Sequence, residues 1–290
     1  MTLDIVPCSL YPLDNVRTFL SNKNSSIIYK SLRQNIIDAE VYIKSVVIIY
    51  VTRGEQIIRK YDGAEIVVSE DELVMLPKDV YLASDLVTDH NLFESFLFFI
   101  DDSIIEKFCL LAKSNKESKT SKNLPDLYTS SADHLLKAYI RSLLEVYGNI
   151  QNSIELLELK LLELMFLLAL QDNGNHFTAR LSNYKKPAAK RNIKSFMEQY
   201  YLKNLGLEDY ALLTGRSVAT FIRDFKNIYS VTPNQWLIDK RLEKAREFLV
   251  NQDWPVTETA LEVGYESTSH FIKAYKAKYG LTPNKDRKKF

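Results

Sequence analysis

The chain repeats part of itself. FIRDFKNIYSVTP at Phe221 to Pro233 recurs fifty residues later as FIKAYKAKYGLTP at Phe271 to Pro283, with six of the thirteen positions identical. The same step lies upstream of each copy: Ala211 with Gly215 four residues on, and Ala260 with Gly264 four residues on. A helix ending on Ala-x-x-x-Gly, with a second helix a few residues later, fits a helix-turn-helix, because Ala lets the helices approach and Gly supplies the turn. The C-terminal region is therefore expected to hold two such units. Between them PNQWLIDKRLEKAREFLV, Pro233 to Val250, reads as one amphipathic helix. At 1.5 Å per residue it is roughly 25 Å long, a spacer suited to successive major-groove segments about 34 Å apart.

Within each second helix two faces separate. Phe221, Phe225 and Ile228 in the first copy, and Phe271, Ala274 and Tyr275 in the second, sit at core spacing. The faces turned away carry Ser217, Ala219, Thr220, Arg223 and Lys226, and Ser267, Thr268, Ser269, Lys273 and Lys276. The mixture suits double-stranded DNA: Lys and Arg neutralise phosphates or reach guanine edges, hydroxyls bond phosphates or bases, and small residues let a helix enter the groove. Ile222 and Ile272 each follow a core Phe and belong at the edge of this face, as peripheral core or as apolar contacts for thymine methyls. His270 is a helix-surface residue or a DNA contact.

The net charge of +1, from 38 Lys+Arg against 37 Asp+Glu, hides a division. Before Asn183 there are 18 basic and 25 acidic residues, and from it onward 20 basic and 12 acidic, so about −7 stands beside +8. Such asymmetry points to a polyanion-binding end. A length of 290 residues, 46% of them hydrophobic, suggests two domains. Two cysteines, Cys8 and Cys109, are too few for a disulfide framework. The N-terminal MTLDIVPCSLYPLDN lacks a basic region followed by an apolar stretch, so a cytoplasmic protein with no membrane association is expected.

The first half reads as an antiparallel β domain. Strands are expected at Ser45 to Val51, Gln56 to Tyr61, Glu65 to Ser69, Glu72 to Pro77 and Leu92 to Ile100, with Asp62-Gly63 as a hairpin turn. The polar run Lys113 to Asn123 reads as an exposed loop. A helix over about 131–148 places Leu135, Leu136, Tyr139, Ile140, Leu143, Leu144 and Tyr147 on one face. A second, over about 153–170, carries Ile154, Leu157, Leu161, Leu164 and Leu168 at spacings of 3, 4, 3 and 4, a two-heptad seam. The seam packs either on its own β domain or on a second copy in a homodimer. Gln171 to Ala189, with Asn-Gly, a Pro and no apolar period, reads as a linker between domains 1–170 and 190–290. The fold class expected is α+β multidomain.

About Ile193 to Arg287 the chain resembles the DNA-binding domain of AraC/XylS-type bacterial transcription regulators. Arg241, Leu242, Ala245, Leu249, Val256, Ala260, Gly264, Tyr265, Ser267, Phe271, Lys276, Gly280, Pro283 and Arg287 fall where that pattern expects them. The resemblance implies base-reading positions at Ala219, Ile222 and Arg223, and at Thr268, Ser269, Ile272 and Lys273. It also implies promoter DNA and RNA polymerase as partners, and activation over repression. Departures are Tyr210 and Leu212 around Ala211, Ser230 where Gly is usual, and Arg216 where an apolar residue is commoner, with Arg216 available for a phosphate. The phrase VTRGEQIIRKYDG…SEDELVMLPKDV, within about Ser45 to Leu86, resembles the cupin-like sensor domains of such regulators. Its strands show no obvious polar cluster for an effector, which is a small molecule or a protein.

Enzyme classes find little support. The four histidines, His90, His134, His176 and His270, are scattered, so no metal site and no cofactor are expected. A DNA-repair fusion needs a reactive thiol in a basic setting, whereas Cys109 sits in an apolar run and Cys8 has no basic neighbour. A non-regulatory DNA-packaging protein is permitted by charge alone, but two duplicated recognition helices favour reading defined base pairs.

Overall fold

The computed structural model describes residues 3–60, 63–88, 91–113, 127–147, 151–172, 176–182, 184, 190–203 and 205–287. The chain divides into two compact units, Met1–Lys186 and Pro187–Phe290.

The first unit is built on two sheets. One runs in the order β1 (Asp4–Val6), β4 (Ile36–Ile43), β9 (Asp79–Leu86), β6 (Glu55–Lys60), β7 (Glu65–Val68). The other runs β11 (Tyr128–Ser131), β8 (Glu72–Leu76), β5 (Val46–Arg53), β10 (Phe93–Ile100), β3 (Ser26–Leu32), β2 (Val16–Ser21). β1 pairs parallel with β4; the other pairs are antiparallel. β6 and β7 meet with Arg59 opposite Glu65, while Asp62 of the expected turn lies outside the described residues.

Side-chain alternation gives the six-stranded sheet two buried faces. Ile28, Val47, Ile49 and Phe99 turn toward Ile43, Ile58 and Tyr81 of the five-stranded sheet. Ile27, Val46, Ile48 and Phe98 turn the other way, into a core with helices α1 (Asp102–Lys113), α2 (His134–Val146), α3 (Ile154–Gln171) and α4 (His176–Ser182). A strand buried on both faces reads as an unbroken apolar run, which is why β5 and β10 were legible. β1 to β4, β9, β11, α1 and α4 were not expected.

Four expectations need correcting. Leu157, Leu161, Leu164 and Leu168 are at most 1% exposed and pack inside their own unit's core, so the seam is internal; only Ile154, 58% exposed, faces solvent. On α2 the buried residues are Leu136, Tyr139, Ile140 and Leu143, whereas Leu135 and Leu144 are exposed. The segment read as a linker contains α4, whose Phe177 and Leu181 are wholly buried in the same core. Finally, a polar cluster does lie between the sheets: Lys30 of β3 pairs with Asp85 of β9, and Gln56 Nε2 donates to Asp85 Oδ1 at 2.7 Å. Residues 114–123 of the expected polar loop lie outside the described residues, and Lys113 ends α1.

The second unit is helical: α5 (Ile193–Tyr200), α6 (Leu207–Leu213), α7 (Val218–Tyr229), α8 (Pro233–Asn251), α9 (Val256–Glu262), α10 (Thr268–Tyr279) and α11 (Pro283–Arg287). α8 starts on Thr232, whose hydroxyl accepts from Gln235 N–H, with Pro233 in the first helical turn, where its missing N–H costs nothing. Its 19 residues span about 28 Å. Trp236 near its start stacks edge-on to Phe225 of α7, while Leu242, Ala245 and Leu249 further along pack with Phe271 and Tyr275 of α10. One helix thus provides a wall for both helix pairs.

Candidate nucleic-acid interface

The two helix pairs share a turn bond for bond. Thr214, Gly215 and Arg216 N–H donate to the carbonyls of Tyr210, Leu212 and Ala211; Val263, Gly264 and Tyr265 N–H donate to those of Thr259, Leu261 and Ala260. Gly215 and Gly264 both hold positive φ, 69° and 82°. Ala211 and Ala260 are at most 1% exposed, and each is small enough to let the second helix cross closely. α6–α7 and α9–α10 are therefore the two helix-turn-helix units that the repeat implies.

α7 and α10 begin and end alike. Ser217 and Ser267 are N-caps, their hydroxyls accepting from Thr220 and His270 N–H. At the other end Ser230 and Gly280 adopt the left-handed conformation, and their N–H groups donate to Lys226 and Lys276 carbonyls at 2.8 Å. Gly takes this conformation freely, whereas another L residue pays about 1–2 kcal/mol. Part of that saving is lost because Gly widens the unfolded ensemble. Ser230→Gly is expected to stabilise the second unit by about 0.5–1 kcal/mol, read as a higher thermal midpoint.

Phe221 and Phe225 of α7, and Phe271 and Tyr275 of α10, are wholly buried. Ile228 is not core as expected: it is 49% exposed, and Tyr229, its ring tilted against those of Phe225 and Trp236, closes that end of the helix. On the outer faces Ala219, Arg223 and Lys226, and Ser269, Lys273 and Lys276, are exposed at helical spacing. Ile222 and Ile272 are partly buried at the margins, Ile272 against the core around Phe271. Thr220 and Thr268 are partly buried, and Thr220 Oγ1 accepts from the Ser217 hydroxyl at 2.9 Å. His270 is exposed beside them.

Arg216, expected at a phosphate, is used within the fold. Its side chain is 12% exposed, with Nη1 donating to the Arg191 and Thr214 carbonyls at 2.9 and 2.5 Å and Nε to Asp224 Oδ2 at 3.1 Å. A guanidinium so engaged has few donors left for DNA. The bond from Arg216, reinforced by the nearby Arg223 charge, holds the Asp224 carboxyl below the usual carboxylate range. Tyr210 is likewise structural. Its hydroxyl donates to the Tyr200 carbonyl at 2.9 Å, and burial pushes its pKa up to about 12, so it remains a donor.

Two residues outside the expected set organise the interface. Arg241 of α8 donates to the carbonyls of Tyr201, Lys203 and Gly264 at 2.7, 2.6 and 3.2 Å, tying the segment before α6 to the second turn. Asp224 lies on α7 between two guanidiniums. The signal for Asp224 was available: the repeat aligns it with Ala274, a charge present in one copy alone. Among the described residues no group of His, Cys, Asp and Glu is arranged to hold a metal ion, and no helix is long and apolar enough to cross a membrane. Cys8 is exposed, and Cys109 is partly buried against the helix-side core.

Two helix-turn-helix units in tandem, each with a basic outer stripe on its second helix, place the chain among the double helix-turn-helix proteins. Residues 46–180 match the family model described as the ExsA N-terminal regulatory domain, and residues 210–289 match a helix-turn-helix domain model. The chain thus matches a regulatory-domain model in its first unit and a helix-turn-helix model in its second. It is 29% identical over 164 residues to the HTH-type transcriptional regulator ExsA of Pseudomonas aeruginosa, covering 57% of this chain and 58% of that protein. It is 27% identical over 178 residues to the thermoregulatory protein LcrF of Yersinia pestis, covering 61% and 64%. The matches thus span about three-fifths of these relatives' length. Among solved structures it resembles ToxT from Vibrio cholerae, at 14% identity and a TM-score of 0.41, over 92% of this chain and 98% of that one.

Proposed function

We propose that this chain is a sequence-specific transcription regulator that sets α7 and α10 into two major-groove segments of promoter DNA. The observation that carries the reading is the repeated outer stripe. Each second helix buries its aromatic residues and exposes a short basic run with small or hydroxyl neighbours, at matching positions fifty residues apart. Arg223 and Lys273 lie within base reach, with Ala219, Ile222, Thr268, Ser269 and Ile272 around them. Lys226 and Lys276, with the Ser217, Thr220 and Ser267 hydroxyls, serve the phosphates. Activation is supported by a relative 27% identical over 178 residues, named the virulence regulon transcriptional activator VirF of Yersinia enterocolitica; RNA polymerase as partner rests on the family resemblance alone. The N-terminal unit regulates, and any self-association uses surfaces other than the buried leucines of α3.

The test is selection of duplexes from a randomised pool by the full chain, followed by binding to the enriched sequence. Arg223→Ala and Lys273→Ala are each expected to weaken binding to that sequence by about 1–3 kcal/mol while changing binding to unselected duplex less. Undiminished binding by both variants overturns this placement of the helices.

A further inference from the structure

The two recognition helices differ in how their central cation is held. In α7 Arg223, 70% exposed along its side chain, lies with Nη2 3.5 Å from Asp224 Oδ1. The other carboxylate oxygen, Oδ2, accepts from Arg216 Nε at 3.1 Å, and Arg216 is itself anchored on the Arg191 and Thr214 carbonyls. The anion beside Arg223 is therefore fixed to the turn of the first helix pair. In α10 the matching residues are Lys273 and Ala274; among the described residues Lys273 has no ion pair.

We propose that Asp224 is a positioning residue that pre-orients the Arg223 guanidinium for reading a guanine. On this account the first helix reads with a held fork and the second with a freely rotating ammonium. The inference rests on the proposed DNA-binding function. Arginine reads guanine through two parallel donors to O6 and N7, a geometry that a lysine does not reproduce. An arginine ordered only on binding loses rotamer freedom at that moment, and a neighbouring fixed charge removes part of the loss beforehand. The contact is long and solvent-exposed, which limits its size. An exposed pair of this kind corresponds to roughly a two- to fivefold effect on an equilibrium. The charge of Asp224 repels phosphates, so its removal is not expected to weaken binding overall. A loss of guanine preference that depends on the presence of Arg223 reports orientation, whereas a direct carboxylate contact to cytosine would persist without Arg223.

The experiment uses the full chain, a duplex pool with a randomised core, and sequencing of the enriched fraction at fixed salt. Wild type is expected to enrich two separated segments. The segment flattened by Arg223→Ala is the one read by α7, and the one flattened by Lys273→Ala is read by α10. In the α7 segment Asp224→Ala and Asp224→Asn are expected to lower the preference for guanine roughly two- to fivefold, leaving the α10 segment intact and binding to unselected duplex equal or tighter. In an Arg223→Ala background Asp224→Asn is expected to change the motif no further, because the residue it positions is gone. Asp224→Asn keeps an oxygen for Arg216 and so guards against loss of the fold. A wild-type motif that Asp224→Asn leaves unchanged sinks the inference alone, and so does relaxation of both segments together. A wild type that enriches no motif overturns the DNA-reading function and the inference with it.

Discussion

Leu161→Asp is expected to unfold the N-terminal unit, whereas Leu159→Asp, two residues away on α3, leaves it folded. Leu161 is 0% exposed in the core that α3 forms with the six-stranded sheet, and Leu159 is 61% exposed. A carboxylate placed at position 161 finds no cation inside the leucine cluster. It escapes ionisation only by raising its pKa about 3 units to remain neutral at pH 7, which costs about 4 kcal/mol at 1.36 kcal/mol per unit. Loss of the buried leucine adds about 2 kcal/mol or more. The total of about 6 kcal/mol is comparable to the whole stability of a typical domain, about 5–15 kcal/mol. Leu159→Asp changes a solvated position and should stay within about 0.5 kcal/mol. Near-ultraviolet circular dichroism and thermal melting distinguish the two. Sedimentation provides the opposing outcome: if Leu161→Asp stays folded and merely halves the mass of a wild-type dimer, these leucines form a subunit contact and their placement in the core is wrong.

Periodicity alone leaves the partner of this seam open, and the reason is general. A spacing of 3 and 4 says that Leu157, Leu161, Leu164 and Leu168 share a face, but a sheet covers such a face as well as a second helix does. The same limit hid α4. Phe177 and Leu181 are four apart and wholly buried, yet seven residues among Asn, Gly and Pro signals are too few for a period to stand out. β4 is mostly half-exposed along its length and shows no clean alternation, unlike β5 with six consecutive buried residues. The Lys30–Asp85 pair joins strands of different sheets across 55 residues, a meeting that only the sheet packing determines.

The C-terminal unit was more legible because it is duplicated. A repeat compares the chain with itself, so Phe221 and Phe271, Gly215 and Gly264, and Ser217 and Ser267 mark equivalent places without any other sequence. What the repeat could not reveal lies in its unmatched positions. Arg216 looked like a spare cation because its length and charge suit a phosphate, and its capture by Asp224 and two carbonyls needs the turn's three-dimensional path. Arg241 matched the family pattern, but its contact with carbonyls on both sides of α8 was not readable from spacing.

Gly264→Ala is expected to destabilise the C-terminal unit by about 3 kcal/mol or more, while Gly280→Ala costs about 1 kcal/mol. Both glycines have positive φ, 82° and 74°. A side chain in the left-handed region costs about 1–2 kcal/mol, offset in part because alanine narrows the unfolded ensemble. At Gly280 that is the entire effect, since nothing lies within 4 Å of an added Cβ. At Gly264 the added carbon meets the Leu202 carbonyl oxygen at 2.7 Å and Arg241 Cζ at 3.1 Å. The oxygen is backbone and is held between Tyr201 and Lys203, whose carbonyls Arg241 binds, so relief requires moving the guanidinium as well. Forcing such a contact typically adds about 1–3 kcal/mol. For a unit of this size each kcal/mol lowers the melting temperature by about 4–8 °C, so the two variants should separate by more than 8 °C or so. The functional consequence follows from position. Gly264 sets the angle between α9 and α10, so Gly264→Ala should lose DNA binding at temperatures where Gly280→Ala retains it. Equal melting temperatures for the two variants would show that the close approach of Leu202 and Arg241 to the second turn does not constrain it.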